Sequence, residues 1–162
     1  MNILKIMADS VKKTVAGGEN LVKNLRSGSV IALSGELGAG KTVFVKGIAK
    51  GLGVREWKNV TSPTFTILNI YNGKRKLYHF DLYRINKTEE LMDTGFDAFV
   101  NSDGIAAVEW ADKFPGMLPE GTVWVKIAYS DRNKRLIQII NRGTAPRARH
   151  KGIKSKITTG EG

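Results

Sequence analysis

Val30-Ile31-Ala32-Leu33-Ser34-Gly35-Glu36-Leu37-Gly38-Ala39-Gly40-Lys41-Thr42 is the stretch that decides the fold. Its first five residues are an apolar run rich in strand formers, which predicts a buried strand. Gly35 to Thr42 then matches the phosphate-binding loop, in which two glycines enclose four residues and precede Lys and Ser/Thr. Each residue type has a physical reason. The glycines let backbone approach phosphate where a side chain would block it. Successive N–H groups form an anion-binding nest. The helix expected from Lys41 to Lys50, stopped by Gly51 and Gly53, adds its unpaired N-terminal amides. Lys41 can reach the outer phosphates, and the Thr42 hydroxyl can hold Mg²⁺.

A phosphate-binding loop also needs an acid beside the metal, at the end of a neighbouring strand. Glu109 ends Ile105-Ala106-Ala107-Val108, and Asp81 ends Leu77-Tyr78-His79-Phe80. Glu109 follows the cleaner apolar run, yet the residues alone leave both open. His79 lies two positions before Asp81 and shares its face of the strand. It is read either as a structural histidine or as a neighbour of the nucleotide. Thr61-Ser62-Pro63-Thr64 is a loop, since Pro63 removes an amide donor and disfavours helical geometry at Ser62. Its hydroxyls suit either a tight turn or a γ-phosphate switch. Asn86-Lys87-Thr88-Glu89 lacks the final Asp of a guanine-reading motif, and the chain has no Asp-x-x-Gly. ATP is therefore expected over GTP.

Asp9-Ser10 offers an N-cap for a first helix carrying Val11, Val15, Val22 and Leu25, weakened by Gly17-Gly18. Phe65–Tyr71 and Lys76–Leu82 read as strands, with Asn72-Gly73 as the hairpin signal. Short helices are expected at Thr88–Met92 and Phe96–Val100. A buried strand is expected at Gly104–Glu109, and a second hairpin from Val123–Ala128 and Arg135–Ile140. Together these predict a single α/β domain, a P-loop NTPase-like mixed sheet flanked by helices, over residues 1–141.

The chain has 162 residues, a net charge of +11 and no cysteine. This excludes disulfide scaffolds, zinc fingers, iron–sulfur clusters and thiol nucleophiles. With two histidines, a His-based metal cluster is not expected. No apolar stretch approaches the ~20 residues of a membrane span, and Met1 to Ile6 carry no secretory signature, so a cytoplasmic location is expected. Residues 142–162 form a basic tail with six Lys/Arg and one acid, Glu161. It has no Phe, Tyr or Trp and suits contacts to nucleic-acid phosphates or to a protein partner.

Gly35 to Thr42, Ser62-Pro63-Thr64-Phe65, His79-Phe80-Asp81-Leu82-Tyr83-Arg84 and Val108-Glu109-Trp110 resemble, in order and spacing, the TsaE (YjeE) family. With Thr14 and Gly18, the resemblance covers about residues 8–130. It implies a slowly hydrolysing ATPase that works with the TsaD and TsaB proteins. These install threonylcarbamoyl on the adenosine beside the anticodon of tRNAs reading ANN codons. The resemblance places Leu37, Gly38, Ala39, Gly40, Lys41 and Thr42 on the phosphates, and Thr42 with Glu109 on Mg²⁺. It makes Lys41, Asp81 and Glu109 the catalytic set, with Asp81 supporting the metal site or positioning water. Trp110 would stand beside the metal acid or serve as a buried structural residue. Adenine contacts would come from Val11, through backbone, and from the turn at Asn133. The competing reading is a small-molecule or nucleotide kinase, with Arg132 and Arg135 as its lid arginines, although the sequence shows no lid insertion. A third is a tRNA-binding module with a structural ATP site.

Overall fold

The expected strand before the Gly-rich loop forms over Val30–Ser34 and is buried along its whole length. The computed structural model describes residues 1–143, so most of the basic tail lies outside the described residues. In chain order the elements are β1 (Asn2–Ala8), α1 (Val11–Lys23), β2 (Val30–Ser34), α2 (Lys41–Gly51), β3 (Leu68–Tyr71), β4 (Leu77–Asp81), α3 (Thr88–Asp93), α4 (Phe96–Val100), β5 (Ile105–Glu109), β6 (Val123–Asp131) and β7 (Lys134–Asn141). Short 3₁₀ turns occupy Trp57–Asn59, Ala111–Lys113 and Pro115–Met117.

The strands form one seven-stranded sheet in the order β1-β7-β6-β2-β5-β4-β3. β2 runs parallel to β5 and β6, and β4 parallel to β5; the outer pairings are antiparallel. Parallel strands need both faces covered, and both are. Ile31, Leu33, Ile105 and Ala107 face a core with Val22, Phe44, Val45 and Ile48 of α1 and α2. Val30, Ala32, Ala106 and Val108 face the other way, onto Phe80, Leu91, Phe96 and Val100. The alternation along β2 and β5 thus assigns each residue to one of two cores. The mixed α/β sheet flanked by helices is as expected.

α1 starts where the sequence predicts, with the Ser10 side chain accepting from the Lys13 backbone N–H at 3.2 Å. Gly17-Gly18 does not break it, because α1 lies directly against α2. A Cβ on Gly18 would stand 2.2 Å from the Phe44 carbonyl oxygen, and one on Gly47 2.0 Å from that of Val15. The helix accepts a propensity cost of about 1 kcal/mol per glycine for this close crossing.

The sequence reading missed one strand and placed the start of another too early. β1 has no counterpart in the sequence reading. Only its last residue, Ala8, is buried, so Asn2–Ala8 shows no alternating pattern. It forms because β7 offers an unpaired edge, matched from Asn2↔Asn141 to Ala8↔Arg135. The strand expected from Phe65 starts at Leu68, since Ile67 takes φ +70° and turns the chain. The hairpin expected at Asn72-Gly73 forms, with Tyr71 pairing with Leu77 across the connection. Gly73 also serves close approach, with a Cβ there meeting the Leu52 oxygen at 2.4 Å.

Candidate functional site

The site lies at the carboxyl ends of β2, β4 and β5, where open α/β sheets hold ligands. Register places its acids. Asp81 pairs with Glu109 across β4 and β5, and Glu109 with Leu33 across β5 and β2. Both carboxylates therefore sit on the α2 face, beside the Gly-rich loop. His79, two residues before Asp81, joins them on that face.

The loop turns on glycines in the left-handed region, with Gly38 at φ +77° and Gly40 at φ +110°. Gly40 is the N-cap of α2, so the helix amides open onto the loop's concave side. Lys41 is buried, and its ammonium donates to the carbonyls of Gly35 at 2.6 Å and Glu36 at 2.9 Å. It also lies 4.1 Å from the centre of the Trp110 ring. Burial lowers the Lys41 pKa from its ordinary value, opposed by attraction to Glu109, Asp81 and Asp112. Trp110 adopts φ +58°, rare for a bulky residue, and this turns its ring beneath Lys41 and beside Tyr83. Trp110 therefore belongs to the cleft while remaining partly buried.

Glu109 gathers Thr42 and His79 around one carboxylate oxygen. Its Oε1 accepts from the Thr42 hydroxyl at 2.8 Å and faces His79 Nε2 at 2.8 Å. A carboxylate only accepts, so His79 donates through Nε2. Its Nδ1 is buried without a hydrogen-bond partner. Both bonds fall on Oε1, leaving Oε2 for a cation. The Thr42 hydroxyl and Glu109 carboxylate are hard oxygen donors and fit Mg²⁺. Among the described residues no cluster of three or more His, Cys, Asp or Glu forms a cation site by itself. A metal here would share its ligands with a bound phosphate.

Asp81 is engaged differently. Its Oδ2 accepts from Ser62 Oγ and, at 3.0 Å, from Thr64 Oγ1, while Oδ1 accepts from the Tyr83 backbone N–H at 2.9 Å. The Ser62-Pro63-Thr64 loop is thereby tied to the end of β4.

Two recesses that share Gly38, Gly40 and Val43 in their walls receive the expected residues. One, of about 330 Å³, is lined by Leu37, Gly38, Gly40, Lys41, Thr42, Asp81 and Glu109 among others. The second, of about 450 Å³, brings together Val11, Ala39, Gly40, Arg132, Asn133 and Arg135. Val11 and Asn133, far apart in sequence, thus share one cavity beside the loop. Sequence reasoning missed Tyr129, whose hydroxyl donates to the Gly38 carbonyl, and the Arg135 contact to Ala39. Neither carries a sequence signal, because both act on backbone.

A buried strand, a glycine loop and a helix, with Lys41 and Thr42 facing acids on adjacent strands, define a P-loop nucleotide-binding protein. Comparison narrows the class. The family model for "Threonylcarbamoyl adenosine biosynthesis protein TsaE" matches residues 8–137. The chain is 43% identical over 117 residues to the tRNA threonylcarbamoyladenosine biosynthesis protein TsaE of Haemophilus influenzae, covering 70% of this chain and 73% of that one. It is 39% identical over 134 residues to the protein of that name from Treponema pallidum, covering 82% and 98%. The crystal structure of Bacillus subtilis YdiB superposes with a TM-score of 0.72 at 32% identity, covering 88% of this chain and 87% of that one. The chain belongs to the TsaE family of threonylcarbamoyl adenosine biosynthesis proteins. That assignment sets the kinase alternative aside. Among the described residues no helix is long and apolar enough to cross a membrane.

Proposed function

We propose that this protein binds and slowly hydrolyses ATP with Mg²⁺, in support of TsaB- and TsaD-dependent threonylcarbamoylation of tRNA. The reading rests chiefly on one arrangement: Lys41, Thr42 and Glu109 converge at the mouth of an N-terminal helix nest. The loop amides and Lys41 would hold the β- and γ-phosphates. Leu37 to Gly40 would wrap them, and Val11 and Asn133 would flank the adenine in the larger recess. Thr42 and Glu109 would hold Mg²⁺, which when bound neutralises charge between the β- and γ-phosphates. His79 keeps the Glu109 carboxylate aimed. Asp81 keeps the Ser62-Pro63-Thr64 loop at the cleft, where its hydroxyls can answer to the state of the γ-phosphate. Residues 1–141 would be the ATPase domain and 142–162 a basic appendage. Action on tRNA supports a cytoplasmic setting.

Hydrolysis by the pure chain, alone and with TsaB, TsaD and tRNA, tests the reading, with Lys41→Ala as the blank. Weak activity that rises with partners and is lost in the variant is the expected result. Turnover indifferent to those partners, or unchanged in Lys41→Ala, overturns it.

A further inference from the structure

The phosphate loop is held by side chains of the β6–β7 hairpin. Tyr129 of β6 donates its hydroxyl proton to the Gly38 carbonyl oxygen at 2.8 Å. Arg135 of β7 donates Nε–H to the Ala39 carbonyl oxygen at 3.1 Å. The two residues are partners in the hairpin register, and the guanidinium lies 4.0 Å from the Tyr129 ring centre. Planar stacking of this kind pre-organises an arginine for donation.

Peptide geometry gives the contacts their meaning. In a trans peptide the C=O and N–H point in opposite directions. The Ala39–Gly40 peptide has its oxygen on Arg135, so its N–H is turned to the loop's inner side. The Gly38–Ala39 peptide is held at both ends, with its oxygen on Tyr129 and its N–H on the Glu36 carbonyl at 3.0 Å. A glycine-rich loop can flip such peptides at little steric cost. A flipped Ala39–Gly40 peptide would aim its carbonyl oxygen at a phosphate oxygen, and a flipped Gly38–Ala39 peptide would aim its own at the Glu36 carbonyl; both are repulsive. The hairpin holds the loop against that flip. Its turn also carries Arg132 and Asn133 into the larger recess, so one rigid unit touches both ends of the nucleotide site.

We propose that Tyr129 and Arg135 are positioning residues that keep the phosphate loop in its binding conformation. The proposal rests on the reading that this loop binds ATP, and its test separates the two. ATP affinity by titration calorimetry and amide exchange by mass spectrometry are measured on the full chain, for wild type, Lys41→Ala, Tyr129→Phe, Arg135→Met and Arg135→Lys. Loss of one such hydrogen bond is expected to weaken ATP binding about fivefold in Tyr129→Phe and in Arg135→Met. Deuterium uptake is expected to rise in residues 36–42 while β2 and β5 stay protected. Arg135→Lys keeps the charge but loses the planar donor, so it is expected to follow Arg135→Met. ATP affinity within about twofold of wild type in Tyr129→Phe and Arg135→Met overturns the proposal. So does weaker binding with unchanged uptake in 36–42, full recovery in Arg135→Lys, or a rise in uptake across the whole chain. Failure of wild type to bind ATP removes the functional reading instead, and the exchange data still report on the brace.

Discussion

Gly18→Ala sets two principles against each other, and the structure says which wins. Helix propensity favours Ala over Gly by about 1 kcal/mol in a helix interior. Yet the new Cβ would lie 2.2 Å from the Phe44 oxygen, 2.9 Å from the Ile48 nitrogen and 3.1 Å from the Gly47 carbonyl carbon. These are backbone atoms of α2 and cannot rotate away. To restore contact distance α1 must retreat by about 1 Å, and such a gap forfeits a quarter to a half of each dispersion contact across it. The side chains at this crossing include Val15, Val22, Phe44 and Ile48, all buried. At roughly 2 kcal/mol per buried side chain, the loss is about 2–4 kcal/mol. After the propensity gain, Gly18→Ala should cost about 1–3 kcal/mol, or roughly 3–9 °C in thermal midpoint.

Gly17→Ala is the matched control. It has the same propensity gain, but its Cβ meets the edge of the Phe44 ring at 3.2 Å, which a small shift relieves. It should lie within about 1 kcal/mol of wild type. Thermal and urea denaturation of both variants is the assay. If Gly18→Ala is as stable as Gly17→Ala, or more stable than wild type, the close-crossing argument is wrong.

Lys41→Met should leave the nucleotide-free protein at least as stable as wild type at pH 7, since burial disfavours the ammonium. The Lys41 pKa is lowered, so the folded state binds fewer protons than the unfolded one as pH approaches the ordinary lysine value. Wild type should therefore gain stability relative to Lys41→Met as pH rises from 7 toward 10; denaturation curves that diverge the other way refute the argument. His79→Leu keeps volume but deletes the donor to Glu109, and should cost about 1–2 kcal/mol in urea melts. Mg²⁺-dependent ATP hydrolysis should fall at least about tenfold in this variant, and unchanged hydrolysis would mean Glu109 needs no support. Asp81→Ala removes the acceptor of Ser62, Thr64 and Tyr83, so hydrogen exchange should rise in residues 60–67 and not in β2. Equal protection there would show that the loop is held by other contacts.

By itself the sequence determined the glycine loop and the helix start that form the proposed phosphate site, because the pattern is local. Gly38, Gly40, Lys41 and Thr42 lie within one loop and one helix start, and their types follow from what a phosphate requires. The buried strands β2 and β5 were equally legible, since burial on both faces writes an unbroken apolar run. Only the tertiary structure decided what the acids do. Strand register set Asp81 beside Glu109, yet hydrogen bonding gave one the Ser62–Thr64 loop and the other Thr42 and His79. Gly17-Gly18 looked like a weakness in a helix and is the surface on which α2 rests, a fact that resides in a second helix. β1 was invisible because an exposed edge strand is specified by its partner's free backbone rather than by its own pattern. Tyr129 and Arg135 were hidden for the same reason: they bond to carbonyl oxygens, which every residue possesses and no sequence marks.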